Sequence, residues 1–314
     1  MTSHTLIFGD CTKVLPTLDT GSFSAVITSP PYHNAKFHPP HQFLTYDDYL
    51  VMVRKAAAGL YRVLADGRVV ALVVDDVRLD GELYPVVADV TKTMIDAGFR
   101  YRDRIIWRKP DGFVRISRRS GVLLQHPYPM YAYFDNLTET ILVLQKGTIN
   151  LKRLMESLPE DVKAKSRIAL HYWQTEKWSQ GIWDITNVLP TKGRLEDGIC
   201  AFPGEIPNRL IQLFSFQGET ILDPFCGSGT TMQIARRLGR QSVGIEINPN
   251  LETVIRKKTG FDLPNTGSDS LKTMRGLLSP LLLVTLVVML WTAFKKLTKS
   301  HNKISGYLLN LHGY

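Results

Sequence analysis

Thr220-Ile-Leu-Asp-Pro-Phe-Cys-Gly-Ser-Gly-Thr-Thr231 is an apolar run that halts at a glycine turn and continues into the amphipathic stretch Thr230 to Leu238. That order predicts a buried strand, a tight turn and a helix that opens at Thr230. Glycines let a ligand approach bare backbone, and the first turn of a helix offers unpaired N–H groups. About twenty residues further on, Ser242 to Ile247 reads as another strand, and it carries Glu246, a carboxylate placed to accept hydrogen bonds from ribose hydroxyls. The glycines alone fit equally well a turn that binds nothing. No Gly-Lys-Ser/Thr follows and no third glycine falls at the required spacing, which argues against a phosphate loop or a full dinucleotide fingerprint.

Outward from this segment, short β-rich runs alternate with amphipathic ones, the pattern of βαβ units around a largely parallel sheet. Candidate strands are Thr5 to Phe8, Ala25 to Thr28, Arg68 to Val74, Arg104 to Trp107, Ile141 to Leu144, Thr220 to Leu222 and Ser242 to Ile247. The strongest helix is Tyr46 to Leu64: Thr45 is its cap, Asp47 and Asp48 occupy its positive first turn, and Leu50, Val53, Ala57, Leu60 and Leu64 recur at helical spacing. Gly67 follows its end. Further helices are expected over Pro85 to Ala97, Ile206 to Phe214, Thr230 to Leu238 and Pro249 to Lys258.

The chain has 314 residues, 44% of them hydrophobic, and a formal charge of +9. A core of ordinary size is expected, and the charge favours a polyanionic partner without proving one. Cys11, Cys200 and Cys226 are too few and too scattered for a disulfide framework or a structural zinc site, and no metal is expected. No secretory signal is visible at the N-terminus.

The strand Ala25-Val-Ile-Thr28 runs into Ser29-Pro30-Pro31-Tyr32, at the ligand-binding edge of such a sheet. Prolines stiffen the chain and donate no backbone hydrogen bond, so this segment presents mainly acceptors, the carbonyls and the Ser29 hydroxyl, which suits recognition of an amino group. Tyr32 offers a face on which an extruded base can stack. The segment taken alone is also compatible with a rigid surface turn and a core tyrosine.

Together these elements resemble the amino-group DNA methyltransferases in which a Ser/Asp-Pro-Pro-Tyr/Phe motif precedes the cofactor loop. Gly9-Asp10 resembles the family's Gly-Asp, and Ala201-Phe202-Pro203-Gly204-Glu205-Ile206-Pro207-Asn208-Arg209-Leu210 the segment whose Phe-Pro lines the cofactor pocket. Asp223-Pro-Phe-Cys-Gly-Ser-Gly-Thr-Thr231 is close to the family consensus, and Gly244-Ile-Glu246-Ile-Asn248-Pro resembles its ribose-binding strand. Leu64-Ala-Asp-Gly67 and Trp107-Arg-Lys109 also have counterparts. The resemblance spans residues 4 to 262. It implies an α/β, Rossmann-like methyltransferase fold with a mostly parallel seven-stranded sheet and permuted motif order. It implies S-adenosylmethionine as cofactor, held by Asp10, Thr28, Phe202, Pro203, Asp223, Phe225, Gly227, Gly229, Thr230, Thr231, Glu246 and Asn248. Catalysis falls to Ser29, Pro30, Pro31 and Tyr32, acting on a base flipped out of double-stranded DNA.

Within that family Ser at the first motif position accompanies cytosine N4 and Asp accompanies adenine N6, so Ser29 implies N4-methylcytosine, with adenine N6 as the alternative. Methylation at cytosine C5 needs a thiolate in a Pro-Cys setting, whereas the cysteines here follow Asp10, Ile199 and Phe225. RNA and protein-glutamine methyltransferases with a similar device place Asn first and the cofactor loop earlier. A non-catalytic, membrane-tethered DNA-binding protein is the remaining alternative. The retained motifs weigh against it.

Residues 1–264 are expected to form the methyltransferase domain, with DNA-recognition insertions over about 111–199. Two stretches carry the basic and aromatic composition suited to phosphate contacts and stacking. One is Arg100 to Arg119, with Arg100, Arg102, Arg104, Arg108, Lys109, Arg115, Arg118 and Arg119 around Tyr101, Trp107 and Phe113; a solvated strand and loop explains it equally well. The other is Asn150 to Trp183, with Lys152, Arg153, Lys163, Lys165, Arg167, Trp173, Trp178 and Trp183. A linker over 265–276, a hydrophobic helix over 277–294 and a basic tail over 295–314 complete the chain. The hydrophobic run is long enough to cross a bilayer, with Trp291 and Lys295-Lys296 as anchors, so membrane contact stands beside a buried or dimer-forming helix. A homodimer and a cognate restriction endonuclease are further partners the family allows. The protein is otherwise expected to be cytoplasmic.

Overall fold

The computed structural model describes residues 2–33, 43, 45–79, 81–110, 122–132, 134, 136–187 and 202–261, and 270–275 by backbone alone, as it does 122 and 123. Outside these lie Phe113, Arg115, Arg118, Arg119 and Cys200, the 188–199 part of the expected insertion, and the tail over 277–314.

Secondary structure begins with β1 (Ser3–Phe8), α1 (Cys11–Val14), β2 (Phe23–Thr28), α2 (Tyr46–Val63), β3 (Leu64–Val74), the hairpin β4 (Val77–Leu79) and β5 (Glu82–Tyr84), and α3 (Val86–Asp96). It continues with β6 (Arg100–Arg108), α4 (Val122–Gln125), β7 (Thr138–Gln145), α5 (Leu151–Ser157), α6 (Glu160–Lys165), α7 (Leu170–Gln174) and β8 (Ile182–Asp184). Last come α8 (Glu205–Phe214), β9 (Thr220–Asp223), α9 (Thr230–Arg237), β10 (Gln241–Glu246), α10 (Glu252–Thr259) and β11 (Ser270–Arg275).

The sheet runs β11-β1-β10-β9-β2-β3-β7-β6-β8. Its seven interior strands are the seven expected from the sequence, and β8 and β11 add two edges that were not. Pairing is parallel from β1 through β10, β9 and β2 to β3, and antiparallel where β7 meets β3 and β6. The early strands β1 and β2 are separated by β10 and β9, which come from the C-terminal third. The sheet is therefore completed only when both ends of the chain are present.

Helices cover both faces, so the central strands carry apolar residues at consecutive positions instead of alternating. In β3, Val70, Leu72 and Val74 enter one core cluster, with Tyr49, Val53 and Leu60 of α2 and Val90 and Met94 of α3. Their neighbours Val69, Ala71 and Val73 enter the opposite cluster, with Ile206, Leu210 and Ile211 of α8 and Ile234 of α9. Each fully buried side chain of this kind is worth about 1.5–3 kcal/mol relative to exposure.

The N-terminus of α2 is held by a capping box: Thr45 Oγ1 accepts from the Asp48 N–H at 3.1 Å, and the Asp48 carboxylate accepts from the Thr45 N–H at 3.1 Å. The other end falls within a residue of the expected Leu64, but the next strand starts earlier than the expected Arg68. The helix stops at Val63, Leu64 is already extended, and Gly67 lies inside β3 with φ +76°. Packing of Leu64, which is fully buried, begins the strand before any glycine can end the helix.

The compact unit runs from Met1 to Met274, past the expected boundary at 264, because β11, in the stretch read as a linker, joins the sheet beside β1. Among the described residues no helix is long and apolar enough to cross a membrane. A Cβ at Gly244, in the middle of β10, would stand 2.5 Å from Met232 Sδ and 2.8 Å from Cys226 Sγ. Gly244→Ala is therefore expected to destabilise by about 1–3 kcal/mol through overpacking. Urea titration checks it, and an unchanged midpoint would contradict the packing described.

Candidate active site

The C-terminal ends of adjacent parallel strands deliver the chemistry. β1 leads to Gly9-Asp10, β10 ends at Glu246, β9 ends at Asp223 before the glycine turn, and β2 leads to Ser29-Pro30-Pro31-Tyr32. α8 precedes β9, so its start, with Phe202 and Pro203 just before it, lies at the same edge. Motifs scattered from Asp10 to Asn248 are brought to one rim.

Asp10 caps α1, accepting from the N–H and hydroxyl of Thr12 at 2.9 and 2.8 Å. Glu246 holds the glycine turn: Oε2 accepts from the Gly227 N–H at 2.7 Å and Oε1 from the Asn248 N–H at 2.9 Å. Each carboxylate oxygen keeps a second lone pair. Burial raises the pKa of Glu246, and the two N–H groups oppose that shift. The turn needs glycine, since Gly227 has φ +53° and Gly229 φ +84°, and a Cβ on Gly229 would meet Ile255 Cγ2 at 3.0 Å. Gly9, Asp10, Phe202, Phe225, Gly227 and Asn248 are half-buried and line the rim, with Glu246 beneath them. Carboxylates for hydroxyl groups, aromatic faces for a base and an approachable turn fit a nucleoside.

Four of the expected residues lie below this surface. Thr28 donates to Asp223 Oδ1 at 2.6 Å with both groups buried. Thr231 donates to the Ile27 carbonyl at 3.3 Å. Thr230 accepts from Lys258 Nζ, which also reaches the Ser228 hydroxyl, both at 2.8 Å. These groups support the turn. Lys258 was not singled out in the sequence, because a lysine in the last turn of α10 has the pattern of a solvated helix end.

On the other side of the rim the Ser29 hydroxyl donates to the Val73 carbonyl at 3.0 Å. The Tyr32 hydroxyl donates to Glu139 Oε2 at 2.8 Å, and Glu139 Oε1 pairs with Lys109 Nζ at 2.7 Å. Asp75, next to the end of β3, accepts from the Asn136 side-chain amide. Burial pushes the Asp75 carboxyl up to about 6; Glu139 adds to the rise, and Asn136 and Lys109 oppose it. Asp75, Asn136 and Glu139 carry no motif signal, and only the β3–β7 pairing brings them to Tyr32 and Ser29.

A family model for N6/N4 methyltransferases, described as DNA methylase, matches residues 23–257. The chain belongs to this DNA methylase family. It is 30% identical over 303 residues to Type II methyltransferase M.MjaI of Methanocaldococcus jannaschii, covering 85% of this chain and 95% of that one. The DNA modification methylase TTHA0409 of Thermus thermophilus, solved with S-adenosyl-L-methionine, superposes with a TM-score of 0.65 at 27% identity, over 85% of this chain and 99% of that one. The cytosine-N4-specific PvuII DNA methyltransferase shares the fold at a TM-score of 0.59 and 17% identity, over 85% and 89%. The methylase is thus an S-adenosylmethionine-dependent enzyme that methylates an exocyclic amine in DNA.

Two expectations about DNA recognition need correction. In the methylase Trp107, Trp178 and Trp183 are core residues. Trp107 Nε1 donates to the Ile185 carbonyl at 2.7 Å, and the Arg209 guanidinium lies 5.1 Å from the Trp183 ring centre and 5.5 Å from that of Trp178. Burying these rings closes the sheet edge that β8 extends. α5 and α6 sit at the opposite edge from the site: they follow the end of β7 that pairs with the start of β3, and Ser166 accepts from the Gln217 N–H at 2.8 Å just before β9. Arg100 and Arg102 begin β6 at that far edge as well. Arg108 and Lys109 reach the site side, and both form ion pairs, with Asp184 and Glu139.

Burial of Asp223 pushes its carboxyl from 3.8 up to about 6, against the pull of Thr28, Thr231 and the Phe225 N–H. The folded methylase favours the protonated form. The stability this group contributes is therefore fully present below the lower value and lost as pH rises through the upper one. The Asp223→Asn protein lacks that component. The melting temperature of the wild type, measured relative to this variant, should fall between about pH 4 and about pH 7. A difference that stays constant across the range would contradict the burial described.

Proposed function

We propose that this enzyme places the methyl group on N4 of cytosine in double-stranded DNA, with Ser29 and the Pro30 carbonyl as acceptors for the target amine. The observation that carries the reading is the Ser29 hydroxyl. Its proton is committed to the Val73 carbonyl, so the oxygen meets an incoming base with lone pairs only. A serine at this position also accompanies cytosine N4 in the family that the chain resembles.

The chemistry needs acceptors. An exocyclic amine is a poor nucleophile because its lone pair is delocalised into the ring. Two acceptors that hold its two N–H bonds fix the orientation of the nitrogen and direct its lone pair out of the conjugated plane. Tyr32 stacks on the flipped base. Its ring is fixed from behind by the chain Tyr32–Glu139–Lys109, so stacking costs little further ordering. S-adenosylmethionine, when bound, supplies an activated methyl group on its sulfonium. Asp10 and Glu246 would accept from its hydroxyls, Phe202 and Phe225 would line its pocket, and the Gly227 turn would admit it close to backbone.

Three measurements test this. Mass spectrometry of nucleosides from DNA of cells expressing the protein should find N4-methylcytosine; N6-methyladenine alone would overturn the cytosine assignment and leave the reaction class intact. Ser29→Ala should lower turnover about a hundredfold, the scale for removal of one positioned hydrogen-bonding group, with cofactor affinity unchanged. Glu246→Ala and Gly227→Asp should each weaken S-adenosylmethionine binding about tenfold or more in calorimetry, by losing a charged acceptor and by blocking the turn. Wild-type affinity in both would remove the basis for the cofactor site.

A further inference from the structure

The connection from β6 to β7 returns to the catalytic rim and ends there in fixed contacts. The Lys109 N–H donates to the Leu137 carbonyl at 2.8 Å, and Asn136 Nδ2 donates to Asp75. Just before that anchor the chain exposes apolar side chains to water. Phe134 is 95% exposed and Met130 91%, with Tyr128 and Leu124 also exposed. Phe134 is two residues from Asn136, a span of at most about 7 Å, so it stands beside the strand end whose Val73 carbonyl holds Ser29.

The stretch is also shaped. Tyr128 N–H donates to the His126 carbonyl at 2.8 Å and Tyr131 N–H to the Tyr128 carbonyl at 3.3 Å, the His126 and Tyr131 rings lie 5.6 Å apart, and Met130 takes φ +74°. A folded tip of uncovered aromatic and apolar residues marks an interaction surface. Among the described residues, Arg108 and Lys109 at the end of β6 are paired with Asp184 and Glu139, and the tip itself presents apolar groups.

Resting on the reading above, we propose that the exposed tip carrying Tyr128, Met130 and Phe134 is a wedge that enters the DNA duplex beside the target, with Phe134 filling the gap left by the extruded base. Extrusion removes a base from its stack, and an apolar side chain inserted at the step replaces the lost contact. The loop stands on the same rim as Ser29 and Tyr32, and the helices over 151–165, richer in lysine and arginine, stand on the opposite one. Continuity with the base-binding rim selects the duplex as the occupant.

The test compares methyl transfer from labelled S-adenosylmethionine to intact duplex DNA from an unmethylated host by the wild type, Phe134→Ala and Phe134→Leu. Phe134→Ala should lose turnover about tenfold or more, the scale of one stacking contact, and Phe134→Leu should recover most of it. Melting temperature and calorimetric cofactor affinity should match the wild type in both variants. Full activity in Phe134→Ala overturns the wedge. So does a loss that leucine does not restore, or a loss accompanied by a change from dimer to monomer in sedimentation, which would make the loop a contact between copies. Wild-type protein that transfers no methyl to DNA retires the cytosine reading and the wedge with it, whereas an active wild type with an equally active Phe134→Ala retires the wedge alone.

Discussion

Thr28 and Asp223, 195 positions apart in the chain, share a buried hydrogen bond of 2.6 Å at the point where β2 lies against β9. Everything that acts in this enzyme hangs from that junction. One strand delivers the acceptors proposed for the base and the other the turn proposed for the cofactor, and the bond sets both at one height on the sheet. Burial makes it demanding. A carboxyl removed from water needs all its partners, and Asp223 has them in Thr28, Thr231 and the Phe225 N–H. The same low-dielectric setting raises its pKa and ties the stability of the junction to pH.

Around the junction the two halves of the rim, the one proposed for the cofactor and the one proposed for the base, use different physics. The cofactor half is made of backbone: left-handed glycines, a helix start, and a carboxylate that spends one lone pair per oxygen on holding the turn. The base half is made of side chains held from behind. Ser29 has its proton engaged by Val73, and Tyr32 is tied through Glu139 to Lys109. Glu139 and Lys109 are mostly buried, so their pairing offers little net stability after desolvation and serves chiefly to fix geometry. That suits a reaction in which positioning the amine is most of the task.

The aromatic and basic segments show how composition misleads about recognition. Trp107, Trp178 and Trp183 have the sequence appearance of stacking platforms, yet they fill the space between β6, β8 and α8, where Arg209 lies across two of the indoles. Large rings bury more apolar area than any other side chain, so an edge that lacks a covering helix recruits them. Trp173 in α7 stays half-exposed, and the most exposed aromatics among the described residues, Phe134 and Tyr128, lie in the β6–β7 connection, where no periodicity draws attention to them.

The amino-acid sequence by itself determined the seven interior strands, the capped helix α2, and the motifs at Asp10, Ser29 to Tyr32, Asp223 to Thr231 and Glu246. Each of these is a local pattern: apolar runs, a Thr45–Asp48 box, prolines and glycines whose allowed backbone angles are intrinsic to the residue. Only the tertiary structure decided which groups meet. Strand order placed β9 beside β2 and so joined Thr28 to Asp223, and antiparallel pairing brought Glu139 and Asp75 to the catalytic rim. It also sent α5 and α6 to the far edge and began β3 at Leu64, ahead of the expected Arg68. Pairing and burial are contacts between residues far apart in the chain, and no local pattern records them.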